Sequence, residues 1–173
     1  MSKRKFLAFL EELDAKELRG QLLDLYLRYS EVKEYYNFSF HPDEENRFRK
    51  AKQKIRKEYF PDEDKKPKRR RSVAQKLILH FLKLEADPVR IADLSLYNIE
   101  VAQAAYANKP IKQKAFFKSI LKSFRHSLVY IQSQLLKDEF EDRVDQIVAH
   151  THIFDWPNSE DFSQALKQLW HTE

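Results

Sequence analysis

The sequence predicts an all-α protein, for three reasons. Apolar residues recur at three- and four-residue spacing through almost the whole 173-residue chain, which is the period of an α-helix. The chain has a single glycine, Gly20, whereas β-hairpin turns usually need the positive φ that glycine adopts most easily. Hydrophobic residues at 42% and aromatic residues at 13% indicate a packed core. We expect eight or nine helices in antiparallel hairpins, forming an irregular bundle or a short helical-repeat-like superhelix.

Helix-start patterns divide the N-terminal part of the chain. A first helix follows Ser2, and Asp14 with Glu17 has the spacing of a capping box that opens a second helix. The buried side of the second helix is expected to contain Leu18, Leu22, Leu25, Tyr26 and Tyr29. Ser30 restarts or continues that helix, and Pro42 fits the first position of the next one. The narrow apolar stripe of this next helix contains Phe48, Ala51, Ile55 and Tyr59.

Residues 61–71 separate two parts of the predicted domain. This segment is charged and lacks the side chains that a core would bury, so we expect an exposed linker. The whole chain, residues 1–173, is then a single helical domain with sub-parts 1–60 and 72–173.

The C-terminal part has its own helix boundaries. Ser72 with Gln75 forms a second predicted capping box, and Asp87 followed by Pro88 opens a further helix. The next helix is long, and its inward face is expected to extend to Leu135. Another helix is expected from Asp138 to about His150, and Asn158 is expected to cap the last one.

Composition excludes several classes of function. The absence of cysteine excludes disulfides, thiolate catalysis and cysteine-ligated metals. A single glycine argues against a Walker loop and a dinucleotide-binding fingerprint, and no catalytic triad spacing is present. We therefore expect a binding protein without cofactor or metal rather than an enzyme. No window approaches eighteen apolar residues, so the sequence predicts a cytoplasmic protein without a membrane partner.

The main functional pattern is a concentration of positive charge between residues 47 and 71. Thirteen Lys or Arg stand there against four acidic residues, a net charge of +9, whereas the whole chain carries +5. The rest of the chain is therefore net negative, and a local basic field attracts polyanions such as a nucleic-acid backbone. The candidate anion-binding residues are Arg47, Lys50, Lys54, Lys57, Lys65, Lys66, Lys68, Arg69, Arg70 and Arg71.

Two other interpretations of this pattern stay open. The basic residues can be a solvated helix face and loop, partly neutralised by acidic neighbours. Alternatively, the protein is an interaction scaffold that binds an unidentified protein through a groove between helical hairpins. A large apolar surface patch would favour the scaffold.

Two residue clusters have simpler explanations than a functional site. His150 and His152, with Asp155, suggest a metal site, but residues two apart on a helix point in opposite directions. A helix end bearing histidines is the more economical interpretation. Four tyrosines could stack on bases, although burial of their rings is expected instead; they are Tyr26, Tyr29, Tyr35 and Tyr36.

Four short sequence segments, in their order along the chain, resemble those of a known family. They are Leu23-Asp24-Leu25-Tyr26, Val32-Lys33-Glu34-Tyr35-Tyr36, Ile55-Arg56-Lys57-Glu58-Tyr59-Phe60-Pro61 and Ala92-Asp93-Leu94. Together they resemble a family of small bacterial all-helical proteins of unknown function. The resemblance extends from the first helix to the Phe154-Asp155-Trp156 region. It implies the helical fold and a bacterial cytoplasm, and it implies no catalytic residue, cofactor or partner.

Overall fold

The computed structural model describes residues 2–40, 43–63 and 65–170. These residues form nine helices and no strand, so the all-α prediction is confirmed. The helices are α1 (Lys3–Glu11), α2 (Ala15–Arg28), α3 (Ser30–Phe40), α4 (Glu44–Tyr59), α5 (Arg71–Lys83), α6 (Pro88–Asn108), α7 (Lys114–Ser133), α8 (Lys137–Ile153) and α9 (Ser159–Trp170).

Contacts within the chain group it into two compact units, Met1–Asp43 and Glu44–Glu173. The boundary lies between α3 and α4, whereas the segment 61–71 belongs to the second unit. The prediction of a single domain with sub-parts 1–60 and 72–173 stays a prediction.

The first unit contains α1, α2 and α3, with α2 packed against α3. Tyr29 leaves the helical conformation, so α3 is a restart at Ser30 rather than a continuation of α2. The predicted buried side of α2 is wrong, because no residue of α2 is buried. Its leucines and Tyr29 are exposed, and Tyr26 is only half-buried. Helical periodicity finds an apolar side of a helix, but it does not show what covers that side.

The second unit is a helical bundle around α6. This 21-residue helix has eleven buried residues and packs against α4, α5, α7 and α8. Helix α9 closes the core against α7 and α8, with Phe162 and Trp170 buried. The stripe predicted for α4 is confirmed, since Phe48, Ala51, Ile55 and Tyr59 are all buried.

Two predicted helix starts are confirmed in detail. The Asp14 carboxylate accepts from the backbone N–H of Lys16 and Glu17, and Glu17 accepts from the Asp14 backbone N–H, which completes the capping box. The Asp87 carboxylate caps α6 through the N–H of Val89, with Pro88 in the first position. The predicted Pro42 start lies outside the described residues.

Three other local predictions are wrong. Helix α5 begins at Arg71, so Ser72 is inside the helix rather than its cap. The Asn158 side chain does not cap α9, because its amide donates to the Phe117 carbonyl and its buried Oδ1 has no partner in the described part of the chain. Leu135 is 92% exposed, since α7 ends at Ser133 and Leu135 turns away with a φ of 57°.

Candidate functional site

A groove with a volume of about 530 Å³ lies between α5, α6 and α7 in the second unit. Three apolar side chains that line the groove are exposed to solvent: Leu79 (53%), Leu82 (39%) and Val129 (51%). Exposed apolar side chains that lie together along a groove form a patch of the kind that interaction sites use. The groove is also lined by Gln75, Ile78, Ile91, Ser95, Asn98, Ser123, His126, Ser127, Tyr130 and Ser133.

Short side chains on α6 and α7 create the space. Ser95 and Ser127 are buried at positions that would otherwise hold larger core residues. Each hydroxyl donates to a carbonyl of its own helix, Ser95 to Ala92 and Ser127 to Ser123. These hydroxyls are therefore satisfied without crossing to another helix, and the volume beside them stays unfilled.

Asn98 provides an unpaired polar atom at the bottom of the groove. The residue is 2% exposed, and its Oδ1 is buried without a hydrogen-bond partner among the described residues. An unpaired buried acceptor costs about 1–3 kcal/mol, so native structures keep few of them. Its position in a groove lining suits contact with a bound group.

One end of the groove is positively charged. The Arg71 Nε donates to Ser123 Oγ at 3.1 Å, while its buried Nη2 has no partner among the described residues. Burial lowers the pKa of Arg71. His126 lines the same end, and its pKa is lowered by burial and by the charges of Arg71 and Lys122. This end of the groove therefore favours an anionic group.

The predicted basic surface divides into residues held by the protein and residues exposed to solvent. Arg70 makes a bidentate contact with Glu58, at 2.7 and 3.0 Å, and its hydrogen bond lowers the pKa of that carboxyl. Arg69 donates its backbone N–H to the Glu58 carbonyl, and Arg71 turns toward α7. These three arginines attach the end of the basic segment to the bundle instead of forming a free arm.

Six lysines of the basic stretch are exposed, whereas Lys52 is half-buried and pairs with Asp93. Lys57 is within 3.3 Å of Asp62, in a surface pair in which both side chains are more than 60% exposed. Arg47 is half-buried. The other exposed candidates are Lys50, Lys54, Lys65, Lys66 and Lys68. Whether these residues bind an anion stays a prediction.

Comparison with known protein families gives a match for the chain. The model of one family, described as a family of unknown function, matches residues 1–169. The chain belongs to DUF6155. No curated protein and no solved structure matches it.

The histidine pair of this DUF6155 chain does not form the metal site considered from the sequence. Helix α8 continues through Ile153, so His150 and His152 point in different directions. His150 stacks on the Phe154 ring, and His152 Nε2 is 2.9 Å from Ser163 Oγ. The described residues hold no group of three or more candidate metal ligands. In the same residues, no helix is both long and apolar enough to cross a bilayer.

The groove of this DUF6155 chain was not predicted from the sequence, although two sequence patterns are consistent with it. Asn98 is a polar residue in the buried face of α6, which is otherwise mainly apolar. On α7, Ser123 and Ser127 are four residues apart and line the groove, and Ser119 continues the same spacing one turn earlier. A row of small residues inside an apolar face indicates either close helix packing or a groove, and the sequence alone does not distinguish them.

Proposed function

We propose that this DUF6155 chain is a non-catalytic protein-interaction module whose groove receives the apolar side of a partner helix. The observation that supports this most is the groove of about 530 Å³ with three exposed apolar side chains along it. The proposal extends to the bacterial cytoplasmic setting that the family resemblance implies.

The dimensions of the groove favour a helix as its occupant. Its lining runs along α7 from Ser123 to Ser133, which corresponds to roughly 15 Å, or almost three helical turns. A helix of that length presents apolar residues at i, i+3, i+4 and i+7, which is how amphipathic helices fill hydrophobic grooves. Leu79 and Val129 would contact such residues from opposite walls, on α5 and α7.

The test uses a fluorescein-labelled amphipathic peptide of about 14 residues with leucine at i, i+3, i+4 and i+7. We expect its anisotropy to rise with protein concentration, with little dependence on salt because the contact is apolar. Val129→Glu should weaken binding at least about tenfold, since it places a charge in the contact. Ile153→Glu is the matched control, an exposed apolar residue of α8 outside the groove. Equal binding by both variants, or none by the unmodified chain, would exclude the proposal.

A second candidate function is binding of an anionic partner, such as a nucleic-acid backbone, by the basic stretch. It is supported by the exposed lysines Lys50, Lys54, Lys65, Lys66 and Lys68, within a segment of net charge +9. Such binding should weaken steeply as salt increases, because phosphate contacts release counterions.

The arrangement of the arginines determines which variant tests the second candidate. Replacing Arg69, Arg70 and Arg71 would also disrupt contacts to Glu58 and Ser123, so a binding loss could reflect structural damage. Lys65→Ala with Lys66→Ala removes exposed charge only. With labelled duplex DNA, single-stranded DNA and RNA, this double variant should bind more weakly, with a salt slope smaller by about 1–2. Lys16→Ala with Arg19→Ala, two exposed cations of α2, is the charge-matched control. Equal losses in both double variants would count against a specific basic surface.

A further inference from the structure

We propose that the helix received by the groove is α1 of a second copy of this chain, an inference that rests on the groove function proposed above. Helix α1 has no buried residue, and its side chains Phe6, Leu7 and Phe9 are 45%, 48% and 40% exposed. The rings of Phe6 and Phe9 stack with centroids 6.5 Å apart and form a continuous aromatic surface. The chain thus contains both an uncovered apolar helix and an uncovered apolar groove.

The lengths of the two surfaces agree. Helix α1 has nine residues, which gives roughly 14 Å at the α-helical rise per residue. The α7 wall of the groove, from Ser123 to Ser133, is about 15 Å long by the same measure. Each end of α1 would therefore lie close to one end of the groove.

The acidic end of α1 is complementary in charge to one end of the groove. Lys3, Arg4 and Lys5 begin α1, and Glu11 and Glu12 follow its apolar face. At the groove, Arg71 and Lys122 lie beside the Ser123 end. At the other end, the charge of Asp87 acts on Tyr130, but its carboxylate is 3.9 Å from Arg90 Nε and is balanced by that cation. If α1 lies antiparallel to α7, its acidic end meets the cations at the Ser123 end.

Helix α2 does not fit the groove as well. Its leucines are also exposed, but its charges alternate along the helix instead of separating to opposite ends. They run in the order Lys16, Glu17, Arg19, Asp24 and Arg28. Either direction of α2 would place like charges together at one end of the groove.

The proposed exchange is reciprocal, with α1 of each copy in the groove of the other, as in a two-fold symmetric dimer. Both uncovered surfaces of each copy are then used, and no groove stays open for further association. The expected product is a closed dimer rather than a chain of copies.

The absence of native cysteine allows a direct cross-linking test. A full-length chain with Leu7→Cys is mixed with one carrying Val129→Cys under mild oxidation, and products are separated on a non-reducing gel. We expect a disulfide-linked pair between the two variants. Ile153→Cys in place of Val129→Cys is the matched control and should cross-link at least about tenfold less. Equal cross-linking with the control would overturn the proposal. So would closure within a single chain that carries both cysteines, without any linked dimer.

A charge exchange tests the proposed orientation on the unlinked full chain. Glu11→Lys with Glu12→Lys should weaken the dimer in sedimentation velocity by about tenfold, because cations then face Lys122. Adding Lys122→Glu to the same chain should restore it. If the Glu11 and Glu12 changes weaken the dimer and Lys122→Glu does not restore it, this orientation and the proposed pairing of α1 with the groove are excluded.

The two proposals can fail separately. If the labelled peptide binds the groove but the chain sediments as a monomer at every concentration, the groove function stands and the second copy is excluded. If the chain is a monomer and the peptide does not bind, both are excluded. If both proposals are correct, the peptide should compete with α1 and convert the dimer to monomer.

Discussion

At the scale of single residues, Asn98 shows a conflict between folding and binding. Its buried Oδ1 has no partner among the described residues, although it lies in the middle of an apolar helix face. We predict that Asn98→Leu raises the free energy of unfolding by about 1 kcal/mol, because it removes an unpaired acceptor and fills the groove floor. Urea unfolding measures the change, and Ser95→Ala, whose hydroxyl is already paired, should be close to neutral. A destabilised Asn98→Leu chain would show that the amide serves the fold.

Arg143 forms ion pairs with two carboxylates, Asp93 and Glu100. It bonds Asp93 at 2.7 Å and Glu100 with both of its carboxylate oxygens, while Lys52 contacts the other Asp93 oxygen at 2.6 Å. Burial acts to raise the pKa of Asp93, but the hydrogen bonds from Lys52 and Arg143 outweigh it, so the pKa is lowered. Asp93 is therefore ionised over the whole physiological pH range.

Removing Arg143 should consequently destabilise the fold in a pH-dependent way. We predict that Arg143→Met lowers the free energy of unfolding at neutral pH by about 2 kcal/mol, because Glu100 loses its bidentate pair with Arg143 and Asp93 loses one of its two cationic contacts. A carboxyl whose folded pKa lies below its unfolded pKa stabilises the fold above the unfolded value, and this contribution disappears as pH falls through the folded value. The difference in free energy of unfolding between the variant and the unmodified chain should therefore become smaller below about pH 4. Denaturant unfolding at pH 7 and pH 3 measures this difference. If the difference is the same at both pH values, lost packing and not lost ion pairing explains the destabilisation.

At the scale of elements, helix α7 begins without a side-chain cap. Gln113 has an extended backbone at the cap position but no capping hydrogen bond, and the first turn contains no acidic residue. We predict that Gln113→Asp stabilises the protein by about 1 kcal/mol, since it can accept from a free N–H and is favoured by the helix dipole.

The opposite end of the same helix supplies the control. Gln134 is the C-cap of α7, where a new negative charge faces the negative end of the dipole. Gln134→Asp should therefore lower the melting temperature, whereas Gln113→Asp raises it. Shifts of the same sign in thermal unfolding would show that capping does not explain either effect.

The sequence predicted the elements of this fold better than their environments. Local patterns such as Asp14 with Glu17, or Asp87 with Pro88, fixed helix starts because both partners lie within one turn. The start of α5 could not be found in this way, because Arg70 is held by Glu58, twelve residues earlier in the chain. The groove was missed for the same reason, since its walls come from three helices that only tertiary packing brings together.

At the scale of the whole molecule, burial is distributed unevenly. None of the residues of α1 and α2 is buried, whereas α6 and α7 together supply much of the core of the second unit. Local opening requires less free energy where fewer apolar contacts are broken. The amide protons of α1 and α2 should therefore exchange with solvent much faster than those of α6 and α7.

Hydrogen exchange on the full chain also tests whether the exposed helix α1 becomes covered in the proposed dimer. At low protein concentration we expect both α1 and α2 to exchange rapidly. As concentration rises, α1 should become protected while α2 stays fast, because only α1 would enter the groove of the second copy. The groove-facing amides of α5 and α7 should gain protection over the same range. The charge variant Glu11→Lys with Glu12→Lys is the control, and its α1 should become protected only at about tenfold higher concentration. Protection of α1 that is already complete at the lowest concentration would mean that its apolar face is covered within a single chain.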